Sequence, residues 1–303
     1  MCYAALAPPS FRRRDIPIMD QTTLRRLGRR LGRRLGHSTN RIGLSTDLIG
    51  SAAFNDDPLP LPIAGVREMN AGLFEMLAQA EGRADAADAF LKYMVAAFDI
   101  DAEQHAAPIG PDGGRDGTRP FRSSFLRLLI GWGWESNGPE GAVLKGWVES
   151  RFGLFPTFHK AKLTEGAEDA WAAYVEEAMA SAFHTNAILT QLDLLYEYCQ
   201  WVLTTFLSPE ERHLTLYRGV NAFEEHQILA RIDPRTVVLR LNNLTSFSSD
   251  REVADCFGDI ILTVRVPKVK VMFFNALLPF FPLKAEGEFL VIGGDYLART
   301  ETI

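Results

Sequence analysis

The spacing of apolar positions divides the chain into a helical region followed by a region rich in strands. Apolar residues three and four positions apart predict helices over residues 66–77, 86–98, 123–130, 142–152, 167–183 and 186–206. Short β-branched and aromatic runs between turn residues predict strands over residues 214–220, 237–242, 260–266, 271–274 and 288–292. We therefore expect an α+β fold, in which a helical N-terminal half packs on a C-terminal β-rich core.

Charge and composition define three regions. Residues 1–36 carry nine arginines against Asp15 and Asp20, a net charge of +7, which leaves −13 for the rest of the chain. The repeat LRRLGRRLGRRLG in this basic extension is compatible with an amphipathic helix for an anionic surface. Its glycines oppose helix formation, so we expect disorder, or translation from a later start codon. Residues 37–207 form a mostly helical region that begins with an irregular segment, and residues 208–303 form a β-rich core.

Composition excludes several classes of protein. The chain has 303 residues with 47% hydrophobic content, and it contains no uncharged apolar run of about eighteen residues, so no membrane span is expected. The first residues lack the pattern of a secretory signal, from which we expect a cytoplasmic protein. Three scattered cysteines and six histidines without ligand spacing predict neither disulfides nor a metal site. We expect no nucleic-acid partner.

Three short motifs follow one another in the strand-rich region. They are LYRG at 216–219, LTSFSS at 244–249 and EGE at 286–288, and each lies at one end of a predicted strand. Each motif alone has an ordinary explanation: a surface arginine, a turn before a helix at 250–257, or two exposed carboxylates on one strand face. Their coincidence in this order is more specific than any one of them.

The three motifs together resemble the arginine-specific mono-ADP-ribosyltransferases, which share an Arg, Ser-x-Ser, Glu-x-Glu pattern. The resemblance implies that this core is a mixed β-sandwich of the ADP-ribosyltransferase type, which holds NAD, as co-substrate, in a cleft between two sheets. Arg218, flanked by Tyr217 and Gly219, would bind the NAD phosphates through charge-assisted hydrogen bonds. Ser246 would orient the catalytic glutamate and the nicotinamide ribose, and Ser248 would complete the NAD site.

The same resemblance assigns different roles to the two glutamates. Glu288 would contact the nicotinamide ribose and stabilise the cation that forms as nicotinamide leaves. Glu286 would orient the incoming guanidinium and accept its proton. A glutamate at this position therefore indicates that the acceptor residue is an arginine. Phe280 and Phe281, in the loop before Glu286, are candidate contacts for the target protein. Burial of both phenylalanines is an equally good explanation.

Aromatic residues near the motifs are expected to have structural roles. Phe247 replaces the threonine that the family commonly has between the two serines, although Ser246 and Ser248 still share a strand face. Phe257, which follows the serine motif, is expected in the core rather than beside nicotinamide. The run Gly-Trp-Gly-Trp at 131–134 suggests no chemical mechanism, and we expect it to serve core packing or a turn.

A closer resemblance covers the chain from residue 37 onward. The segments GHSTN at 36–40, FNDDPLPL at 54–61 and GVREMN at 65–70 are similar to the dinitrogenase reductase ADP-ribosyltransferase family. That resemblance implies transfer to an arginine of dinitrogenase reductase, the iron protein of nitrogenase, with inactivation of nitrogenase. It also implies control by a PII-type nitrogen signal protein, whose surface we place, as a hypothesis, in residues 66–207.

The residues leave other functions open. An NAD glycohydrolase would need Arg218, Ser246 and Glu288 but not Glu286, so the presence of Glu286 argues against it. An arginine-specific transferase could also act on a different protein. A non-enzymatic scaffold with the same fold would be expected to lose one member of the motifs, yet all of them are present.

Overall fold

A computed structural model describes residues 35–100, 123–221, 227–278 and 287–302. Most of the basic extension, residues 1–34, lies outside the described residues. The same is true of Phe280 and Phe281, the candidate target contacts, and of Glu286, the first glutamate of the Glu-x-Glu motif. The expectations for these residues therefore stay predictions.

The N-terminal region is helical, as predicted. Its helices are α1 (Thr46–Ile49), α2 (Ala52–Asp56), α3 (Val66–Met69), α4 (Ala71–Ala78), α5 (Arg83–Phe98), α6 (Phe125–Trp134), α7 (Pro139–Phe152), α8 (Glu168–Ala178) and α9 (Ile188–Val202). Helix α9 continues into a π-helical turn, Leu203–Leu207. A small hairpin of β1 (Phe158–His159) and β2 (Ala161–Lys162) follows α7.

Local side-chain hydrogen bonds explain where the helices depart from the prediction. The first predicted helix is broken at Asn70, whose Nδ2 donates to the Val66 carbonyl oxygen at 2.8 Å. The helix predicted over 167–183 ends after Ala178, where His184 Nε2 lies 2.7 Å from the Ala178 carbonyl oxygen and caps it. The segment that was expected to be irregular contains the short helices α1 and α2.

The C-terminal region contains β3 (His213–Val220), β4 (Gln227–Asp233), β5 (Thr236–Ser248), α10 (Arg251–Asp255), β6 (Ile260–Pro267), β7 (Val271–Phe274) and β8 (Glu288–Thr302). The strand order is β4-β5-β3-β6-β8-β7, and β5 also pairs with β8. The α+β class is confirmed. All described pairings are antiparallel rather than mixed, because parallel neighbours need long, usually helical, crossovers and the described part of this region has only the short α10.

One hydrophobic core joins the two regions. It includes Phe90 and Trp147 from the helical region together with Leu262 and Ile292 from the strands. Helix α9 packs against β7, and the Tyr196 hydroxyl of α9 donates to the Val269 carbonyl oxygen at 2.8 Å. The helical region therefore covers the sheet directly.

Candidate functional site

Arg218 is a cation with one buried hydrogen-bond donor that no described residue accepts from. It lies in β3, which pairs with β6 along its whole length, and its Nη1 donates to the main-chain oxygen of Ser246 at 2.7 Å. Its Nε is buried and has no hydrogen-bond partner among the described residues. Burial lowers the pKa of the guanidinium, while the negative charge of Glu288 acts in the opposite direction. A partly desolvated cation without a directly bonded carboxylate favours an anionic ligand.

The register of β5 and β8 brings Ser246 and Glu288 together. Ser246 is opposite Leu290 and Glu288 is opposite Ser248, so Ser246 and Glu288 are diagonal neighbours on one face of the sheet. The Ser246 hydroxyl donates to Glu288 Oε1 at 2.6 Å. Phe247 points to the other face and is 3% exposed within the core. A large apolar residue therefore fits between the two serines.

A third side chain reaches this pair from the helical region. Trp132, near the end of α6, donates from its indole Nε1 to Ser246 Oγ at 2.9 Å. It is 5% exposed, so the expected core packing of the Gly-Trp-Gly-Trp run is confirmed for this residue. The hydrogen bond to the serine was missed. No local signal could have revealed it, since 114 positions separate the two partners in the sequence.

Arg218, Ser246 and Trp132 line one cavity of about 1090 Å³. Strand β5 forms one wall, from Arg240 to Ser246, and residues of α6, α7 and the β1–β2 hairpin form the opposite wall. Leu35, the first described residue, lies beside them, where its carbonyl oxygen accepts a backbone hydrogen bond at 2.9 Å. This volume slightly exceeds the usual range for ligand clefts, about 300 to 1000 Å³, and suits an extended ligand.

A buried lysine adds positive charge to this cavity. Lys145 of α7 lines it, with Nζ 5.9 Å from the centroid of the Trp132 ring. The ammonium group donates to Asn137 Oδ1 at 2.8 Å and to the Phe158 carbonyl oxygen at 3.1 Å, and it lies 3.3 Å from His159 Nδ1. Burial lowers the pKa of Lys145 to about 8. Lys145 is therefore mostly charged at neutral pH and, like Arg218, favours an anion in the cavity.

Four of the residues predicted to bind NAD do not line the cavity. Glu288 is one of them, and it reaches the cavity only through its hydrogen bond with Ser246. The other three make different contacts. Tyr217 pairs with Ser248 across β3 and β5, and Ser248 Oγ accepts a hydrogen bond from the Asp250 backbone N–H at 3.0 Å. A Cβ on Gly219 would lie 2.1 Å from the Ala254 carbonyl oxygen, so α10 can pack this closely on β3 only against glycine. These contacts are structural, and an NAD-binding role for Tyr217, Gly219 and Ser248 stays a prediction.

The expectation that Phe257 belongs to the core was wrong, because this residue is 65% exposed. Helix α10 ends at Asp255. The next close contact with the sheet is made by Gly258, where a Cβ would lie 2.3 Å from the Val220 carbonyl carbon. It is the glycine backbone, and not the phenylalanine side chain, that packs against β3 at this point.

The centre of the Glu-x-Glu motif requires glycine. Gly287 has φ of +67°, in the left-handed region that side chains other than glycine rarely adopt. Its carbonyl oxygen accepts a hydrogen bond from the Ser249 backbone N–H at 3.0 Å. This turn leads directly into Glu288. Glu286 lies outside the described residues, so its place beside the cavity stays a prediction.

The described ranges contain no group of three or more histidine, cysteine, aspartate or glutamate side chains that could hold a metal ion. No helix in the same ranges is long and apolar enough to cross a membrane.

Comparisons with known proteins connect this geometry to a family. The family model described as dinitrogenase reductase ADP-ribosyltransferase (DRAT) matches residues 39–300. A protein from Rhodospirillum rubrum named NAD(+)--dinitrogen-reductase ADP-D-ribosyltransferase is 60% identical over 263 residues, which cover 87% of this chain and 94% of that relative. No solved structure matches the chain.

Proposed function

Because this chain belongs to the dinitrogenase reductase ADP-ribosyltransferase family, we propose that it transfers ADP-ribose from NAD to an arginine of dinitrogenase reductase, which inactivates nitrogenase. The relative from Rhodospirillum rubrum carries the name of this NAD-dependent reaction. The structural observation that supports the proposal most strongly is the hydrogen bond between Ser246 and Glu288, beside a cavity that Arg218 also lines.

NAD is the co-substrate, and in this proposal its pyrophosphate lies at Arg218. The hydrogen bond from Nη1 to the main chain of Ser246 holds the guanidinium in place beside the cavity, where its positive charge attracts the phosphate oxygens. Lys145 adds positive charge, although its donors are already directed to protein acceptors. The nicotinamide ribose then lies toward Ser246 and Glu288.

The reaction exchanges one bond at C1′ of the nicotinamide ribose. The bond from C1′ to the nicotinamide nitrogen breaks, and its electron pair leaves with nicotinamide. Glu288 stabilises the positive charge that develops at C1′. A guanidine nitrogen of the acceptor arginine forms the new bond, and Glu286 accepts the proton that this nitrogen loses. The products are the ADP-ribosylated arginine, nicotinamide and a proton.

The partners in this proposal follow from the family. Dinitrogenase reductase is the acceptor protein, and Phe280 and Phe281 are the proposed contacts to it. A PII-type nitrogen signal protein is the proposed regulator, supported by the family resemblance, with its surface in residues 66–207. Action on this acceptor supports a cytoplasmic location.

The test is transfer of labelled ADP-ribose from NAD to purified dinitrogenase reductase by the full-length protein. Glu288→Gln and Glu286→Gln should both abolish labelling, and Glu286→Gln should retain residual NAD hydrolysis because water can replace the acceptor. Glu301→Gln is the matched control, since Glu301 lies on the same strand but pairs with Arg251 at 3.2 Å. This control should retain full labelling.

The outcomes separate the alternatives. Labelling that survives in Glu288→Gln would reject Glu288 as the catalytic residue, and with it the proposed site. A wild-type protein that hydrolyses NAD but labels no protein, even with a PII protein and ADP supplied, would favour the NAD glycohydrolase. Labelling of other proteins but not of dinitrogenase reductase would favour a transferase with a different acceptor. Mass spectrometry of the labelled peptide decides whether the modified residue is arginine.

A further inference from the structure

A chain of two hydrogen bonds connects the helical region to the proposed catalytic glutamate. The first runs from Trp132 Nε1 to Ser246 Oγ at 2.9 Å, and the second from Ser246 Oγ to Glu288 Oε1 at 2.6 Å. The chemistry of the end groups fixes the direction of both bonds. An indole N–H can only donate, and an ionised carboxylate can only accept.

This direction determines where the hydroxyl proton of Ser246 points. A serine hydroxyl has one proton and two lone pairs, so without constraint it can donate to any acceptor within reach. Because Trp132 donates to the oxygen, the proton is directed to Glu288. The Ser246 bond is the one hydrogen bond to the Glu288 carboxylate among the described residues. Its Oε2 therefore remains available to face the ribose.

Helix packing holds the indole firmly in place. The Phe125 backbone N–H, at the start of α6, donates to Gln191 Oε1 of α9 at 3.0 Å. Next to Trp132, a Cβ on Gly131 would lie 2.4 Å from the Cγ atom of Glu140, so α7 approaches α6 very closely at this point. Trp132 is thus presented to β5 by packed helices rather than by a loop, which favours a fixed hydrogen-bond geometry.

We propose that Trp132 is a positioning residue for the reaction: its indole N–H fixes the Ser246 hydroxyl, and Ser246 in turn holds Glu288 toward the nicotinamide ribose. This inference rests on the proposed function. It extends that function by giving the helical region a direct part in catalysis, separate from any role in binding partner proteins.

Trp132→Phe tests the proposal, because it retains an aromatic ring and removes the N–H. The kcat for NAD hydrolysis and for ADP-ribose transfer should fall about 5- to 20-fold, as expected for the loss of one hydrogen bond, while KM for NAD changes less than about 2-fold. Trp147→Phe is the matched control, since the Trp147 indole donates to Asp193 Oδ1 at 2.7 Å within the core. It should lower stability and leave the kcat of the folded protein unchanged.

A double-mutant cycle shows whether Trp132 acts through the serine. If it does, Trp132→Phe has no further effect on kcat in a Ser246→Ala background. An equal loss in both backgrounds would overturn the proposal, as would an unchanged kcat in the single Trp132→Phe variant.

A measurement without catalysis separates this inference from the proposed function. The indole N–H resonance of Trp132, assigned by its loss in Trp132→Phe, should shift in Ser246→Ala, and an unchanged resonance would overturn the proposal. A wild-type protein without transferase or hydrolase activity would reject the proposed function, and with it the positioning role. The resonance would still show whether the hydrogen bond exists.

Discussion

Replacement of Lys270 by methionine is expected to stabilise the protein at neutral pH and to change how its stability depends on pH. Lys270 lies in a short turn before β7 and is 0% exposed. Its Nζ donates to the Gly293 carbonyl oxygen at 3.2 Å and lies 5.0 Å from the ring centroid of Tyr296 and 5.4 Å from that of Phe54. These neighbours do not neutralise the charge.

The cost of this burial can be worked out from the pKa. Burial lowers the pKa of Lys270 from 10.5 to about 7, and the nearby Asp295, itself held by Arg240 at 2.6 Å, offsets only part of this. Between these two pH values the unfolded chain holds more protons than the folded protein, so stability rises with pH across this window and is flat below it. This lowering of the Lys270 pKa corresponds to about 5 kcal/mol of lost stability when the lysine is fully charged, and to about 4 kcal/mol at pH 7.

Urea denaturation of the wild type and Lys270→Met, at several pH values from about 7 to 10, measures this cost. Methionine removes the charge and one hydrogen bond worth about 1 kcal/mol, so the variant should be about 2 to 3 kcal/mol more stable at pH 7. The advantage should shrink by about 3 to 4 kcal/mol by pH 10. Lys92→Met is the control, since Lys92 is exposed and paired with Asp88 at 2.7 Å. A difference between wild type and Lys270→Met that stays constant over this pH range would refute the reasoning.

Three further results are expected. Arg240→Met leaves the buried Asp295 carboxylate without its partner and should cost about 3 to 5 kcal/mol in urea unfolding; a loss below about 1 kcal/mol would contradict the buried ion pair. Gly219→Ala should cost about 1 to 3 kcal/mol by the same measurement, because its Cβ would meet a backbone oxygen of α10, and an unchanged stability would contradict that packing. Arg218→Lys should raise KM for NAD about 10-fold in a hydrolysis assay, since lysine lacks the planar fork of donors, and an unchanged KM would remove Arg218 from the NAD site.

Local features of the proposed site could be predicted, because each motif is short and its strand pattern depends only on neighbouring residues. Arg218 stands before a glycine, Ser246 and Ser248 are two positions apart, and Glu288 begins a strand. Alternation along a strand predicts that the two serines share a face. The diagonal contact between Ser246 and Glu288 then follows once β8 is paired with β5 in the observed register.

The ends of the two longest strands could not be predicted, because residues typical of turns occur inside them. Strand β5 was expected to end at Asn242 and β8 at Ile292, yet they run to Ser248 and Thr302. The register of the pair shifts at this point, and a Cβ on Gly293 would lie 1.8 Å from the Asn242 carbonyl oxygen. Glycine here serves the close approach of two strands and a bulge rather than a turn.

Strand β4 was missed for a different reason. It lies at the edge of the sheet, and its described pairing is with β5 alone. Its side chains are partly or fully exposed, so neither face of the strand has to be apolar. The alternation of apolar and polar residues that marks a strand is therefore poorly developed.

The contact that sequence patterns could not reveal is the one that joins the two regions at the site. Periodicity identifies the buried face of α6, and a tryptophan on that face fits core packing equally well whether or not its N–H meets a polar atom. Which atom Trp132 meets depends on how α7 and α9 orient α6 against β5, and that is a property of the whole core. Trp132 donates a hydrogen bond to Ser246 Oγ and also lines the cavity. Loss of α6 would therefore alter Ser246, its hydrogen-bond partner Glu288 and the cavity together. In the proposed mechanism the helical region is therefore part of the catalytic site, in addition to its proposed role in binding partner proteins.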